Sequence, residues 1–235
     1  MRDKIKGLYG KYVRDAVYAA NDGIITTFAV VAAVIGSGLD TVVILILGFA
    51  NMLADGFSMA TGDYLGTRSE SEHFEHEREK EEKIFDESDE KAGREIRQIL
   101  KNKGYSEEDI EDAANSIAKN KKFFLDFIVF QRLGYRPRSK NSALKSGAVT
   151  FFAFLGAGII PLLPFVFLNN STAQTAFIWT IVFTALALFL IGASRTIFAE
   201  KHWFAGGMEM LLAGGAAAFI AFIIGAFLKT LVGGI

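Results

Sequence analysis

The sequence predicts an all-α integral membrane protein with five transmembrane helices and a charged, helical domain on the cytoplasmic side. Of its 235 residues, 51% are hydrophobic and 22% are charged, and the two kinds are segregated along the chain. Residues 147–194 carry no charge, and residues 16–64 contain no Lys or Arg. An apolar stretch of about 18 residues is long enough to cross a bilayer. The net charge of −1 gives no sign of a nucleic-acid partner, and we expect none.

The predicted spans fall into two groups, separated by the charged domain. A tight turn that contains Gly38 joins the first two spans. Pro161 and Pro164 predict that the third span kinks or ends near its far side. A polar linker at residues 169–172 leads into the fourth. The predicted spans cover residues 13–36, 41–64, 148–168, 173–194 and 206–231.

This pattern predicts a division of the chain into three segments. An N-terminal segment with the first two spans covers residues 1–65, an acidic helical domain covers 66–145, and the remaining spans cover 146–235. Residues 65–91 contain no Pro and no Gly except Gly66, which predicts that the second span continues into the acidic domain as one helix. Ser106 begins a capping-box pattern, and apolar residues in 122–133 predict a further packed helix.

The distribution of positive residues predicts the orientation. With five spans, 24 of the 25 Lys and Arg residues fall on one side of the membrane. Only Lys229 lies near the opposite end. Because cytoplasmic segments carry the excess of positive charge, we expect the N-terminus and residues 66–145 to be cytoplasmic.

Acidic residues inside the spans are the first candidates for a functional site. Asp22 lies in the first span, and an ionisable group within the membrane is functional by default. In the second span, Asn51, Asp55, Met59 and Asp63 recur at steps of four, which places them along one helix face. Carboxylates combined with a thioether suit a borderline transition ion better than Mg²⁺. We expect Asp63, which lies near the membrane interface, to have a structural role. For the other residues of this face, the alternative to a functional role is that they cap helices or form hydrogen bonds to neighbouring helices.

The acidic segment after the second span is the next candidate metal site. Several of its glutamates recur at spacings of three and four on one helix face, next to His73 and His76. A solvated charged helix is the alternative interpretation. The single Glu-x-x-His element that ends at His73 lacks the second copy that a di-iron bundle needs. The glutamates that form this candidate site are Glu70, Glu72, Glu75, Glu79 and Glu82.

Other features restrict the chemistry further. The chain has no cysteine, which excludes disulfides and thiolate metal ligands. Glu209 is near the start of the fifth span, where the helix dipole would favour an acid. We find no nucleophile–base pair and no nucleotide-binding loop. We therefore expect neither an enzyme nor a tightly bound cofactor.

Several stretches together resemble the vacuolar iron transporter family. They are NDGIITTFA at residues 21–29, ADGFSMA at 54–60, the segment 64–82, FLDF at 124–127, SAL at 142–144, and GIIPLLP at 158–164. The resemblance implies a homodimer with five spans that exports Fe²⁺ from the cytoplasm in exchange for protons. It also implies that Asp22 and Met59 line the pathway and that glutamates between Glu70 and Glu82 gather metal.

The sequence departs from the family's pattern in two regions, the second span and the charged domain. Asn51 stands where many members have a Glu, and Asp55 stands where many have a small residue. Ile128 and Arg132 occupy places at which some members supply a Met and a Glu to the cytoplasmic metal site. Neither can bind iron, which predicts a cytoplasmic site that is weaker, differently built or absent.

The sequence therefore leads to a proton-coupled exporter of Fe²⁺, embedded in a bilayer. The membrane would be the plasma membrane in a prokaryote and the vacuolar membrane in a eukaryote. One alternative is a transporter of the same fold that selects Mn²⁺. Another is a membrane-anchored metal sensor or storage module that binds divalent cations without moving them. The acids inside the spans argue against the second alternative, because an anchor needs none.

Overall fold

A computed structural model describes residues 2–87, 89–135, 140–168, 172–196 and 202–232. Every regular element in these ranges is helical, as the sequence predicts. A 3₁₀ turn, Ile160–Leu162, lies between α6 and α7. The helices are α1 (Arg2–Ser37), α2 (Thr41–Glu87), α3 (Asp89–Asn102), α4 (Glu107–Ala118), α5 (Lys121–Leu133), α6 (Lys140–Gly158), α7 (Leu163–Phe167), α8 (Ala173–Thr196) and α9 (Trp203–Val232).

Five segments of the described chain are long and apolar enough to cross a membrane, which confirms the predicted number of spans. The second span continues without a break to Glu87, as the lack of Gly and Pro predicted. The polar linker predicted at 169–172 lies almost wholly outside the described residues. The five segments are Tyr12–Ser37, Thr41–Glu87, Ser142–Phe167, Ala173–Thr196 and Trp203–Leu231.

The chain forms two compact units. The membrane unit comprises Met1–Asp63 and Leu144–Ile235, and the charged unit comprises Tyr64–Ala143. Helix α2 supplies residues to both.

The turn between α1 and α2 has the form that its sequence predicted. Gly38 adopts a φ of 69°, a left-handed conformation that side chains other than glycine's disfavour. The backbone N–H of Leu39 donates to the carbonyl of Val34, and the N–H of Val42 donates to Asp40 Oδ1 at 2.9 Å. The last turn of α1 and the first of α2 therefore keep their polar backbone groups bonded, as a membrane environment requires.

The third span is broken at its prolines, which confirms that prediction. Helix α6 ends at Gly158 and the chain continues as the 3₁₀ turn and α7. Proline cannot donate the backbone bond that would continue α6. The Thr180 hydroxyl on α8 donates to the carbonyl of Pro161 at 3.0 Å, at a position where both residues are buried. This bond provides a donor for the Pro161 carbonyl at the break and links the broken segment to α8.

The charged unit has its own hydrophobic core. Ser106 caps α4, where its hydroxyl accepts from the N–H of Asp109, and Asn120 caps α5 in the same way. Both helices were expected from the sequence. Their apolar faces meet α3 in one cluster of buried residues: Ile96, Leu100, Ile110, Ala114, Phe124, Leu125 and Ile128.

Candidate functional site

Asp22 lies at a close contact between two helices of the membrane unit. Its neighbour Gly23 is packed so tightly against α6 that an added Cβ would overlap the backbone carbonyl of Phe154. On the other side of this contact, Gly158 faces the carbonyl of Gly23. Because small residues let the two backbones approach, this contact fixes the position of α1 beside Asp22. Asp22 itself is partly buried.

Asp55 forms the second part of the candidate site. The side chain of Asn51 donates from Nδ2 to Asp55 Oδ2 at 2.6 Å, one helical turn away on α2. The Asp22 carboxylate on α1 lies near enough to Asp55 for the two charges to interact. The structure therefore brings together three of the four residues that the sequence assigned to a pathway.

The fourth residue, Met59, lies one turn further along α2. It lines a cavity of the membrane unit together with Asn21, the neighbour of Asp22 on α1. Asp63 lines the same cavity, and its Oδ2 accepts a hydrogen bond from the hydroxyl of Thr150 on α6 at 2.9 Å. The row of residues along α2 thus begins beside the carboxylate pair and ends in the cavity. Its members are Asn51, Asp55, Met59 and Asp63.

This arrangement offers a divalent cation two kinds of ligand. Asp22 and Asp55 supply hard oxygen ligands, and Met59 supplies a soft thioether sulfur. Among the described residues, no three His, Asp or Glu side chains are arranged so that they alone could hold a metal ion. A bound ion would therefore need sulfur, amide oxygen, water or a second chain to complete its coordination. The roles assigned to these residues stay predictions.

The glutamates predicted to gather metal lie on the outer face of α2 in the charged unit. Four of them are exposed, while Glu82 is partly buried. Arg68 bonds to Glu72 at 2.8 Å, and Lys121 approaches Glu82 within 3.0 Å. His73 and His76 are also exposed. Intramolecular cations therefore neutralise part of this face, and its metal-binding role stays a prediction.

The charged unit holds a second acidic cluster, which includes the buried Glu81 and was not predicted from the sequence. Glu81 is only 2% exposed. The guanidinium of Arg132 on α5 bonds to Glu81 and to Glu95 at 2.6 Å each, and lies 3.7 Å from Glu77. Partial burial acts to lower the pKa of Arg132, but its hydrogen bonds to Glu95 and Glu81 outweigh that effect and raise the pKa. Arg132 is therefore the cation that balances this cluster and the buried carboxylate of Glu81.

Ile128, the other departure from the family's pattern, belongs to the apolar core of the charged unit and is fully buried. Its side chain packs against apolar residues of α3 and α4 in this core. Neither Ile128 nor Arg132 provides a metal ligand in this fold.

Two hydroxyl residues of α6 were also missed. Ser146 donates to Asp15 Oδ2 at 2.7 Å, and Thr150 donates to Asp63. Both hydroxyl residues are buried, and they lie four positions apart on one face of α6. The sequence signal that could have identified them is the pair of hydroxyl residues four positions apart in an otherwise apolar span.

Glu209 forms an ion pair with Arg195 on α8, a partner that was not predicted from the sequence.

Comparisons with known proteins agree with this architecture. The model of the VIT family matches residues 13–226. The chain is 31% identical to a protein of Toxoplasma gondii named vacuolar iron transporter, over 94% of this chain and 76% of that protein. It is 30% identical to a protein of the same name from Centaurea cyanus, over 91% of this chain and 86% of the relative. Vacuolar iron transporter 1 of Arabidopsis thaliana is 28% identical over 92% of this chain and 85% of its own length. The chain belongs to the VIT family.

Proposed function

We propose that this protein moves a divalent metal ion, with Fe²⁺ as its main substrate, across the membrane that contains it. The observation that carries the proposal is the pair of carboxylates, Asp22 and Asp55, between two spans of a chain whose relatives are named vacuolar iron transporters. Two acids near each other inside a bilayer are unfavourable without a cation or proton. A cation passing between α1 and α2 would balance them.

The chemistry of the site favours a borderline transition ion. Carboxylate oxygens attract any divalent cation, whereas the thioether of Met59 adds affinity for Fe²⁺ over Mg²⁺ or Ca²⁺. Asn51 orients Asp55 through its hydrogen bond. Mn²⁺ has similar preferences and is the second substrate that we propose.

Proton exchange follows from the same carboxylates. A carboxylate oxygen binds either a metal ion or a proton, so protonation of Asp22 from the far side would release the ion. One group would then couple both fluxes without a separate proton relay. We propose that the exchange moves metal out of the cytoplasm, with the N-terminus and the charged unit on the cytoplasmic side.

The charged unit would serve this transport by concentrating metal. A face of exposed carboxylates raises the local concentration of divalent cations. The family resemblance also supports a homodimer, in which a second chain supplies ligands that one chain lacks. The residues proposed for this face are Glu70, Glu72, Glu75, Glu79 and Glu82.

Metal uptake into sealed proteoliposomes tests the proposal. Vesicles with an acidic interior would be offered Fe²⁺ under reducing conditions, or Mn²⁺, and internal metal and internal pH would be recorded together. We expect metal influx with matching proton efflux. Vesicles without protein, and vesicles whose pH gradient has been collapsed by a protonophore, are the controls.

Three results would contradict parts of the proposal. Influx that does not change when the pH gradient is collapsed would overturn proton exchange. Faster influx of Mn²⁺ than of Fe²⁺, at equal concentrations, would overturn the assignment of the main substrate. Binding without influx in vesicles shown to be tight would favour a membrane-anchored sensor.

A further inference from the structure

A groove between α1 and α9 lies at the end of the membrane unit where α1 ends. It has a volume of about 510 Å³. The spans that form it, Tyr12–Ser37 and Trp203–Leu231, both end here, because Ser37 lines the groove and so does Lys229, two residues before Leu231. The groove therefore lies at the depth where the hydrocarbon core of a bilayer meets the lipid headgroups.

The surface of the groove is apolar. Val34 and Gly225, which line its floor, are buried. The side chains of its rim are about half exposed, so the groove opens on the outside of the membrane unit. In a bilayer the molecules that meet such an opening are lipids, and an acyl chain in a groove gains packing contacts that a flat surface does not offer. The rim residues are Leu39, Ile224 and Leu228.

A single cation lies at the outer end of the groove. Lys229 belongs to the last turn of α9. Its ammonium lies so close to Gly38 that an added Cβ at that position would overlap the nitrogen. The ammonium is therefore at the C-terminal ends of both α1 and α9, where the helix dipoles favour a positive charge. These contacts hold the charge of Lys229 beside the apolar surface.

The charge of Lys229 is available to a ligand. Among the residues that the structure describes, Lys229 forms no ion pair. The acid of the adjacent turn, Asp40, accepts a hydrogen bond from the backbone N–H of Val42 at 2.9 Å. A lysine ammonium is a compact point charge with three donors, which suits the oxygens of a phosphate group.

We propose that this groove binds one anionic phospholipid. Lys229 binds the phosphate of the headgroup, and an acyl chain lies between Ala33 of α1 and Ile224 of α9. Charge complementarity at the outer end and the apolar floor below it together match the two parts of such a lipid. A zwitterionic phospholipid offers the same acyl chains but brings a positive group of its own next to Lys229. The site therefore selects a headgroup with a net negative charge.

Native mass spectrometry of the full-length protein in detergent tests the headgroup contact. Phosphatidylglycerol and phosphatidylcholine with identical acyl chains would be titrated separately, and the dissociation constant of the first lipid bound would be measured. We expect phosphatidylglycerol to bind about tenfold more tightly, because its charge is not cancelled within the headgroup. Lys229→Gln should remove this preference, and Lys229→Arg should retain it. An undiminished preference in Lys229→Gln would overturn the proposal.

A second variant tests the groove without changing Lys229. Ala33→Leu enlarges a side chain that lines the groove and leaves less room for an acyl chain. We expect its affinity for phosphatidylglycerol to fall about fivefold or more. The control is Ala216→Leu, an exposed position of α9 that is not among the lining residues, and its affinity should be unchanged. Equal affinities in the two variants would overturn the proposal, whether or not Lys229→Gln folds.

Other occupants of the groove would give different results. Excess inorganic phosphate should not displace phosphatidylglycerol, because it makes no contact with the apolar floor, and displacement would contradict a lipid site. A second copy of this chain in the groove would appear in the same spectra as a dimer that Ala33→Leu dissociates while lipid binding is unchanged, which would also contradict the proposal. These measurements require no transport, so their failure is distinguishable from failure of the proposed function.

Discussion

Asn51 donates a hydrogen bond to Asp55 over 2.6 Å, from one turn of α2 to the next. A neutral donor next to a carboxylate orients the carboxylate without adding a second charge. The pair thus holds one oriented carboxylate near Asp22.

The first prediction concerns this hydrogen bond. In Asn51→Leu the Asp55 carboxylate loses its donor, and a hydrogen bond to a charged group contributes about 1.5–3 kcal/mol. We expect metal uptake at low substrate concentration to fall about tenfold or more, which corresponds to the lower end of that range. Thr61→Val is the control, because the Thr61 hydroxyl only bonds to the carbonyl of Phe57 in its own helix. Equal uptake by the two variants would show that Asn51 does not orient Asp55.

The second prediction concerns the contact between α1 and α6. Gly23→Ala places a Cβ against the carbonyl of Phe154, so the helices must separate. Overpacking of this kind costs about 1–3 kcal/mol. We expect a lower midpoint of thermal unfolding in detergent and lower uptake, because Asp22 moves with α1. Gly156→Ala, where an added Cβ meets no atom within 4 Å, should leave both quantities unchanged. A Gly23→Ala variant as stable as Gly156→Ala would contradict the packing described.

The third prediction concerns Arg132, the counter-ion of the buried Glu81 in the charged unit. Arg132→Gln leaves the buried carboxylate of Glu81 without its counter-ion. Because Arg132 is itself 40% exposed, we expect a loss of only about 2 kcal/mol in the free energy of local opening. Hydrogen exchange of the α2, α3 and α5 amides in the full-length protein measures it.

The matched control for Arg132 is Arg97→Gln. Arg97 bonds to the exposed carboxylate of Glu111 at 2.7 Å. An exposed pair of this kind contributes less than about 1 kcal/mol. Faster exchange in Arg97→Gln than in Arg132→Gln would mean that Arg132 does not stabilise the buried cluster.

The fourth prediction is a pH dependence of the charged unit. Lys80 donates a hydrogen bond to Glu77 at 2.5 Å and lowers the pKa of Glu77 below its ordinary value of 4.5. The folded state therefore favours ionised Glu77, and this contribution to stability is complete above pH 4.5 and is lost as the pH falls through the lowered pKa. We expect amide exchange in the charged unit, corrected for its intrinsic rate, to accelerate as the pH falls below about 4.5. In Lys80→Gln the acceleration should be smaller, and an identical profile would exclude the role of this bond.

The helices and their order could be predicted because each depends on local signals. Long apolar stretches define the spans, Pro161 and Pro164 mark the break after α6, and Ser106 marks the start of α4. The spacing of Asn51 and Asp55 also indicated that they are neighbours, since residues four apart meet on a helix.

Contacts between distant parts of the chain were less accessible from the sequence. The pairing of Thr150 with Asp63 joins residues 87 positions apart, and that of Arg132 with Glu81 joins residues 51 apart. Helical periodicity specifies which residues share a face, but not which faces meet. The acidic segment shows the consequence: periodicity singled out its outer glutamates, whereas the buried Glu81 on the opposite face was overlooked.

The most direct test of the central claim is Fe²⁺ uptake by Asp22→Asn in proteoliposomes, measured against the unaltered protein. This change keeps the size of the side chain and removes the group that would bind both metal and proton. The account predicts no uptake above that of protein-free vesicles, with the elution volume and thermal midpoint of the variant unchanged. A folded Asp22→Asn variant that carries Fe²⁺ at the rate of the unaltered protein would contradict the account.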